Sequence, residues 1–259
     1  MAKDELRRMA LCMLADYDAR TPGELFSRPV DLTIPQAYEL QGEIARLREE
    51  RGEKIIGYKI GCTSKPIQEQ LGMGEPIFGR IFDTGFFRSG VQLSYARYAN
   101  LAVEGELALR LSKDLAGSFP TEEECVGAIA AVFPVIELHH YVLHEARSSG
   151  PELIASNGMH AGFVLVEETP RPCPSELVHG ICIRINGARV GAVEGSGMFA
   201  RASESLRWLV GRLAGIGLSL REGQIILTGS PMHLFPVRLG DKIVVEAPPL
   251  GKSCAEIGP

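Results

Sequence analysis

The sequence predicts an α+β protein, in which helices flank a core of many short strands. Apolar residues recur at helical spacing over residues 4–18, which indicates an amphipathic helix near the start of the chain. Runs rich in β-branched residues and bounded by glycine, such as residues 54–61, indicate strands. The pair Asn186–Gly187 between two such runs is a strong signal for a β-hairpin.

An N-terminal helical cap is predicted to precede the strand-rich part of the chain. Thr33 fits the N-cap position of a second helix, Pro35 its first turn, and Gly52 its end. We therefore expect a helical cap over residues 1–52 and a strand-rich domain over residues 53–259. The cap should pack on the strand-rich domain, so that the two parts form one cooperative unit.

The remaining elements are predicted from turn and capping signals. Thr121 and Glu124 have the spacing of a capping box, so a helix is expected to start there and to end near Val132 or Phe133, before Pro134. A short buried strand should follow at residues 135–138. We predict strands at 54–61, 104–112, 161–166, 224–231, 235–237 and 242–246, a hairpin within 177–193, and helices at 63–71 and 202–213.

Composition excludes several classes of protein. The 259 residues carry a net charge of −5 and no basic run, which argues against a nucleic-acid partner. Six scattered cysteines without a C-x-x-C pair indicate reduced thiols rather than a disulfide framework. The charged N-terminus lacks the apolar region of a signal peptide, and no apolar run reaches membrane-spanning length. We therefore expect a cytoplasmic protein without a membrane partner.

Two glutamates on one predicted strand form the first candidate site. Glu104 and Glu106 stand two residues apart, so in a strand their side chains project from the same face. Like charges held this close require a proton, a cationic side chain or a metal ion between them. Glu137 ends another apolar run, and the three glutamates could hold one hard divalent cation, Mg²⁺, Mn²⁺ or Ca²⁺. Alternatively, the pair forms surface salt bridges on an exposed strand face.

Lys59 is the second candidate because it lies within an apolar strand, between Tyr58 and Ile60. A buried ammonium group is costly without a partner. One interpretation is an edge lysine whose ammonium group reaches water. The other is a lysine that points into a polar site, where burial and neighbouring charges adjust its pKa for proton transfer.

A group of histidines follows Glu137. His139 and His140 are adjacent, so in a strand they point to opposite sides and cannot both face Glu137. With His144 they could suggest a zinc site, but the paired Cys/His spacing of such sites is missing. Histidines that form hydrogen bonds in a loop are the more common interpretation of this pattern.

Motifs for phosphate binding and serine hydrolysis are missing. Residues 195–197, Gly-Ser-Gly, lack the spacing of a dinucleotide-binding loop, and no Walker lysine motif is present. The sequence also lacks the Gly-x-Ser-x-Gly of a nucleophile elbow. Nucleotide binding and serine-hydrolase chemistry are therefore not expected.

Five segments resemble the fumarylacetoacetate hydrolase superfamily in the same order along the chain. They are residues 57–63, 75–79, 104–106, 134–137 and 226–229. The match extends over about residues 35–257 and is strongest to the branch of 2-keto-4-pentenoate hydratases and 4-oxalocrotonate decarboxylases. This resemblance implies a mixed β-roll core, a Mg²⁺ or Mn²⁺ cofactor, a small 2-oxo acid or 2-hydroxydienoate substrate, and a homo-oligomer.

The resemblance also implies roles for individual residues. Glu104, Glu106 and Glu137 match metal ligands, and Lys59 matches a catalytic lysine. Asn157 matches a polar residue near the substrate. Thr228 lies in the motif at the end of a late strand and is a second candidate for substrate binding.

Two features favour the hydratase and decarboxylase branch over the C–C hydrolases of the superfamily. The third acid is Glu137 rather than an aspartate, and no histidine stands just before Glu104. Two other features depart from the branch. Ile77 occupies a position that is usually acidic, and residues 199–204 replace a Gly-His-Pro segment. Metal binding and enolate chemistry are compatible with both departures.

The sequence thus predicts a metal-dependent lyase that acts through an enolate, with 2-hydroxypenta-2,4-dienoate hydration as the leading reaction. The metal would act as a Lewis acid, and Lys59 would move protons. Decarboxylation of a 4-oxalocrotonate-type substrate is the first alternative. Hydrolysis of an acylpyruvate and a non-catalytic, ligand-binding role are further alternatives, the last because of Ile77.

Overall fold

Two β-sheets form the core of the protein, for which a computed structural model describes residues 1–21, 29–143, 148–166 and 178–259. The strands are β1 (Ile55–Gly61), β2 (Ile77–Phe82), β3 (Phe86–Arg88), β4 (Val91–Ser94), β5 (Ala102–Leu111), β6 (Ile129–His139), β7 (His160–Leu165), β8 (Gly180–Ile185), β9 (Ala188–Glu194), β10 (Ile225–Leu227), β11 (Phe235–Pro236), β12 (Lys242–Glu246) and β13 (Lys252–Gly258). The helices are α1 (Lys3–Ala19), α2 (Ile34–Glu50), α3 (Lys65–Gln70), α4 (Glu122–Val126), α5 (Gly150–Ala155) and α6 (Met198–Ala214).

The sheets mix parallel and antiparallel strands. The larger sheet runs in the order β2-β1-β10-β5-β6-β7-β3, with β11 also paired to β5. Within it, β1 pairs with β10 and β3 with β7 in parallel, and the other pairs are antiparallel. The smaller sheet runs in the order β4-β13-β12-β8-β9. This topology confirms the predicted α+β fold with a mixed β-roll core.

The larger sheet curls into a half-barrel, which brings β2 close to the segment before β7. The Asn157 side chain links the two: its Oδ1 accepts a hydrogen bond from the Arg80 amide (2.6 Å), and its Nδ2 donates to the Arg80 carbonyl (2.8 Å). A Cβ atom on Gly79 would lie 2.6 Å from the Asn157 carbonyl oxygen. Only glycine therefore allows this approach of β2 to the segment before β7.

The predicted helices at the N-terminus are confirmed. In α2, Thr33 and Gln36 form a complete capping box, and Pro35 lies in the first turn. The buried residues of α1 are those of the predicted apolar stripe: Met9, Ala10, Met13 and Leu14. These side chains belong to an apolar cluster that also contains Leu40 of α2 and Ile77 of β2. The cap therefore packs directly behind one side of the half-barrel.

The helix predicted to end near Val132 or Phe133 is wrong. The capping box of Thr121 and Glu124 forms, but α4 ends at Val126 and β6 begins at Ile129. Pro134 lies inside β6, where it pairs with Leu107 of β5. The Leu107 carbonyl accepts its hydrogen bond from the Thr228 amide and not from β6. The Leu107–Pro134 pair is therefore a position of the ladder at which no amide of β6 is needed, and a proline is tolerated there. Pairing with β7 starts only at Val135, so the proline interrupts neither ladder.

The two C-terminal strands that were predicted are present, and the structure adds a third. The strand segments at 235–237 and 242–246 exist as β11 and β12, but they are not neighbours: β11 pairs with β5, and β12 pairs with β8 and β13. Strand β13 (Lys252–Gly258) was not predicted. Buried and partly exposed positions alternate along it, but its polar residues make this pattern hard to recognise in the sequence. By contrast, the hairpin of β8 and β9 forms around Asn186–Gly187 as predicted, and both turn residues have positive φ.

In the described part of the chain, no helix is long and apolar enough to cross a membrane.

Candidate active site

Strands β5 and β6 bring the three predicted glutamates together. Glu104 lies directly opposite Glu137 in the antiparallel ladder, and Glu106 follows two positions along β5. Glu106 and Glu137 are 0% and 1% exposed, and Glu104 is partly buried. The alternative of solvated salt bridges on an exposed strand face is therefore wrong. An acid at these depths requires compensation from the groups around it.

Lys59 enters the same cluster from β1. Its side chain is 4% exposed, and its Nζ lies 3.2 Å from Glu137 Oε1 and 3.5 Å from the Gly158 carbonyl oxygen. The alternative of an edge lysine that reaches water is therefore wrong. The curl of the sheet makes this contact possible, because β1 and β6 are separated by β10 and β5 in the strand order.

Two histidines that the sequence analysis did not assign to the site also contact Glu137. His160 Nδ1 lies 2.6 Å from Glu137 Oε1. His139 Nε2 lies 3.3 Å from Glu104 Oε2 and 3.4 Å from Glu137 Oε2. His140 points to the other side of the strand, where its ring contacts the Ala99 amide and the Tyr17 carbonyl, so the prediction that the adjacent histidines diverge is confirmed.

Glu137 and His139 are two residues apart, so in one strand they point to the same side. The predicted strand ended at residue 138, whereas β6 extends to His139, and for this reason His139 was not assigned to the site. His160 carried no comparable signal, since it reaches Glu137 through the pairing of β6 with β7. His144 lies outside the described residues.

Burial and charge separate the titration of the two buried acids. Burial and the neighbouring Glu137 raise the pKa of Glu106 well above its usual range. Burial alone would also raise the pKa of Glu137, but Lys59 and His139 outweigh it and hold this pKa well below its usual range. The same cluster thus shifts the pKa values of the two buried acids in opposite directions.

The basic groups respond to the same carboxylates. Burial would lower the pKa of Lys59, yet Glu137 and Glu104 outweigh burial and raise it. For His139 burial is likewise outweighed, and the two carboxylates raise its pKa to about 9. Burial dominates for His160 and lowers its pKa despite the contact with Glu137. The lysine ammonium is therefore held charged inside the protein.

The residues present fit a divalent cation. Glu106 Oε1, Glu137 Oε2 and both ring nitrogens of His139 are buried, and none has a hydrogen-bond partner among the described residues. Buried polar atoms without partners are rare and indicate an additional ligand. One ligand atom from each of Glu104, Glu137 and His139 lies within 4.8 Å of the others. Carboxylate oxygens are the donors that hard divalent cations prefer.

The cluster lies in a cleft of about 1260 Å³ whose other walls are mainly apolar. Lys59, Glu104 and His139 line one part of it. The opposite lining includes Ile67, Leu71, Ile77, Leu153, Met198 and Trp208. Helices α3, α5 and α6 supply most of these side chains. The cleft can thus enclose a small acid with its polar end at the carboxylates.

Ile77 lies close to the lysine. It pairs with Gly61 across β1 and β2, and Lys59 is two residues away on the same face of β1. A Cβ atom on Gly61 would lie 3.3 Å from Lys59 Nζ and 3.5 Å from Ile77 Cγ1. An apolar side chain therefore stands beside the lysine where the resemblance leads one to expect an acid.

The two residues predicted to bind substrate have different surroundings. Thr228 lines the cleft, and its hydroxyl donates to the Leu107 carbonyl (2.9 Å). Asn157 borders a small separate cavity, and its amide bonds to the backbone of Arg80. The next residue, Gly158, contributes both to the cleft lining and to the contact with Lys59. Substrate binding by Asn157 and Thr228 stays a prediction.

Gly229 connects Thr228 to the carboxylate cluster. Its amide donates a short hydrogen bond to Glu106 Oε2, and its φ of +95° is one that glycine adopts without strain. A Cβ atom here would lie 2.6 Å from Thr63 Cγ2. The Thr-Gly pair after β10 therefore holds one Glu106 oxygen in place and leaves the other oxygen for a ligand.

Comparison with known proteins defines the class to which this fold and site belong. The model of the fumarylacetoacetate (FAA) hydrolase C-terminal family matches residues 63–258, and the chain belongs to this family. Within it, the similar proteins with curated functions are mainly hydratases of the 2-keto-4-pentenoate type. The resemblance drawn from the sequence motifs is thereby confirmed.

Two relatives and one solved structure illustrate the similarity. The chain is 32% identical over 227 residues to a 2-hydroxyhexa-2,4-dienoate hydratase of Comamonas testosteroni, covering 86% of each chain. It is 31% identical over 224 residues to a 4-oxalocrotonate decarboxylase of a Pseudomonas species, covering 85% of each chain. The fold matches 4-oxalocrotonate decarboxylase from Pseudomonas putida G7, complexed with magnesium and adipate, with a TM-score of 0.89, 22% identity and coverage of 99% and 98%.

Proposed function

We propose that this protein is a divalent-metal-dependent lyase that hydrates a small 2-hydroxydienoate, as 2-keto-4-pentenoate hydratases do. One observation carries the proposal: a buried lysine ammonium lies 3.2 Å from a buried glutamate, within a carboxylate cluster that opens to a cleft. The relatives named as hydratases, at about 30% identity over most of the chain, support the reaction type.

Glu104, Glu106 and Glu137 are the proposed ligands of Mg²⁺ or Mn²⁺, since their oxygen donors suit hard cations. When bound, the metal supplies Lewis-acid stabilisation of negative charge on the substrate oxygens. Gly229 orients Glu106 by its amide, and His160 orients Glu137 through Nδ1. These contacts fix the carboxylates before the substrate arrives, which is the condition for electrostatic stabilisation.

Lys59 is the proposed proton carrier. During ketonisation the 2-hydroxyl of the dienoate loses a proton and C5 gains one, which gives a conjugated 2-oxo-3-enoate. Water then adds across that double bond: its oxygen bonds to C4 and a proton goes to C3. Lys59 Nζ lines the cleft, and the neighbouring carboxylates raise the pKa of Lys59. Its ammonium group can therefore hydrogen-bond the developing oxyanion, give a proton to C5, and be restored by the proton that the 2-hydroxyl loses.

Decarboxylation is the second candidate, and Ile77 favours it. Addition of water requires a group that accepts or positions its proton, and an isoleucine beside Lys59 offers none. Loss of CO₂ from a 4-oxalocrotonate-type acid requires only stabilisation of the enolate that remains. The similarity to 4-oxalocrotonate decarboxylase supports this alternative as the secondary one.

An assay of the two reactions tests the proposal. Purified protein is treated with a chelator, reloaded with Mg²⁺ or Mn²⁺, and incubated with 2-hydroxypenta-2,4-dienoate or 4-oxalocrotonate. We expect metal-dependent hydration of the dienoate to have the higher kcat/KM. Faster CO₂ release from 4-oxalocrotonate would replace the leading function by the second. Activity on an acylpyruvate alone would assign hydrolysis, and no turnover of any of these acids would favour a ligand-binding role.

We also propose that the protein is a homo-oligomer, as its family resemblance implies, and that it acts in the cytoplasm, as its scattered cysteines indicate. Light scattering coupled to size-exclusion chromatography measures the mass directly. A mass equal to one 28.1 kDa chain would contradict the oligomer.

A further inference from the structure

His139 is the histidine that faces the cleft from the last position of β6. Its side chain is 5% exposed and lies among the carboxylates, with Nε2 3.3 Å from Glu104 Oε2 and 3.4 Å from Glu137 Oε2. The neighbouring residue His140 faces the opposite side and forms hydrogen bonds with Ala99 and Tyr17. The strand geometry therefore places one imidazole of this pair in the site and keeps the other out of it.

Neither ring nitrogen of His139 has a hydrogen-bond partner within the part of the chain that the structure describes. A buried imidazole normally bonds through at least one nitrogen, because loss of hydration is otherwise uncompensated. His160 illustrates the usual case, since its Nδ1 bonds to Glu137 at 2.6 Å. His139 Nε2 thus faces two carboxylate oxygens without a hydrogen bond of normal geometry to either of them.

The spacing fits coordination of one ion. Adjacent ligands of an octahedral ion with bonds of about 2.1 Å lie about 3.0 Å apart. The distances from His139 Nε2 to the two carboxylate oxygens exceed this by only a few tenths of an ångström. One atom each of Glu104, Glu137 and His139 also lies within 4.8 Å of the other two. The three atoms are therefore spaced closely enough to be ligands of one ion.

We infer that His139 is a nitrogen ligand of the metal in this protein and makes the site prefer transition-metal dications over Mg²⁺. The inference rests on the metal-dependent function proposed above and specifies its cofactor. Imidazole nitrogen suits Fe²⁺, Co²⁺ and Zn²⁺, whereas an all-oxygen set suits Mg²⁺ and Mn²⁺. A mixed set of carboxylates and one imidazole should thus bind Co²⁺ much more tightly than Mg²⁺.

The test compares metal binding in the wild-type protein with that in His139→Gln. Glutamine offers an amide oxygen at a similar position, so it replaces nitrogen by oxygen and keeps a donor. Titration calorimetry of the chelator-treated proteins gives the affinities for Co²⁺ and Mg²⁺. We expect the ratio of Co²⁺ to Mg²⁺ affinity to fall about tenfold or more in His139→Gln, with Mg²⁺ affinity nearly unchanged. His140→Gln is the matched control and should keep the wild-type ratio.

Pulsed electron paramagnetic resonance on bound Mn²⁺ provides a readout that does not depend on activity. The wild-type protein and His140→Gln should show the coupling of a directly bound ¹⁴N nucleus, and His139→Gln should lack it. His139→Asn serves as a second variant, and circular dichroism establishes that each variant is folded before titration.

The outcomes separate this inference from the proposed function. Mn²⁺ bound by the wild-type protein without nitrogen coupling would overturn the role of His139 and leave the glutamate site and the lyase activity intact. Equal losses of Co²⁺ and Mg²⁺ affinity in His139→Gln would also overturn it, because they would indicate a structural role. A wild-type protein that binds no dication would remove the metal site and the proposed function together.

Discussion

The two sides of the cleft differ in chemistry and in what supports them. The carboxylate side stands on β5 and β6, two paired strands in the middle of the larger sheet. The apolar side is formed by Ile77 and by residues of α3, α5 and α6, and the N-terminal helices pack against Ile77 in one apolar cluster. The proposed metal ligands are thus carried by neighbouring strands of one ladder, while the apolar lining comes from several separate elements of the chain.

The strongest test of the carboxylate side is Glu106→Ala. Because this variant removes a proposed ligand, we expect Mn²⁺ binding to fall below detection and activity to fall by about a thousandfold or more. Calorimetric titration and the hydration assay measure the two effects. Glu256→Ala on β13 is the control, since this glutamate is half-exposed and lies outside the cleft lining, and it should leave both unchanged. Undiminished Mn²⁺ binding in Glu106→Ala would show that this glutamate is not a ligand.

Lys59→Met removes the ammonium group and keeps the length of the side chain. We expect kcat to fall by about 10² to 10⁴, the usual contribution of a proton-transfer group, with Mn²⁺ still bound. Stopped-flow measurement of ketonisation separates this step from the addition of water. Unchanged kcat would exclude Lys59 as the proton carrier.

Leu40→Ala tests the support behind the apolar side. Leu40 is fully buried in the cluster that joins α2 to Ile77, so the cavity should lower the free energy of unfolding by about 3 kcal/mol. We propose that residues 1–52 and 53–259 unfold as one unit, and a single transition in urea is expected for both proteins. Two separate transitions would contradict this. Leu11→Ala, at a site that is 49% exposed, is the control.

Ile77→Asp tests whether the apolar residue beside Lys59 limits the addition of water. A carboxyl group there could accept the proton of water, so we expect the ratio of hydration to decarboxylation to rise about tenfold. Ile77→Asn is the matched control, since its side chain has nearly the same size and cannot act as a base at neutral pH. Equal ratios in the two variants would show that polarity alone, and not proton transfer, controls the outcome.

The smallest expected effect is on stability, and it concerns the ion pair of Arg48 and Glu53 outside the cleft. Burial would raise the pKa of Glu53, but hydrogen bonds from Arg48 (3.0 Å) and Thr84 (2.7 Å) outweigh burial and lower it. A lowered pKa in the folded state stabilises the fold above the unfolded pKa of about 4.3, and this stability is lost as the pH falls. Glu53→Gln should therefore cost about 1 kcal/mol at pH 7, and the cost should become smaller as the pH is lowered to 3.

Urea unfolding at the two pH values measures this difference. A loss that stays constant between pH 7 and pH 3 would mean that packing, and not charge, accounts for the effect of Glu53.

The elements that were predicted correctly are those with local sequence signals. The local signals that predicted α1, α2, β1 and the β8–β9 hairpin act over a few residues, so they survived in the fold. The prediction at Pro134 was wrong because proline was interpreted as the end of a helix. In the structure Pro134 lies within β6, at a position of the ladder that needs no amide. β13 was missed since pairing with β12 and β4, not its own composition, holds it in the sheet.

The sequence alone determined the identity of the acids and the spacing that puts Glu104 and Glu106 on one face, because strand periodicity is a local property. It also supplied the motifs that place the chain in its family. Only the tertiary structure decided that Lys59 meets Glu137, that His139 and His160 join them, and that Ile77 stands beside the lysine. These contacts cross several strands of a curled sheet, and curvature depends on the packing of the whole chain rather than on any one segment.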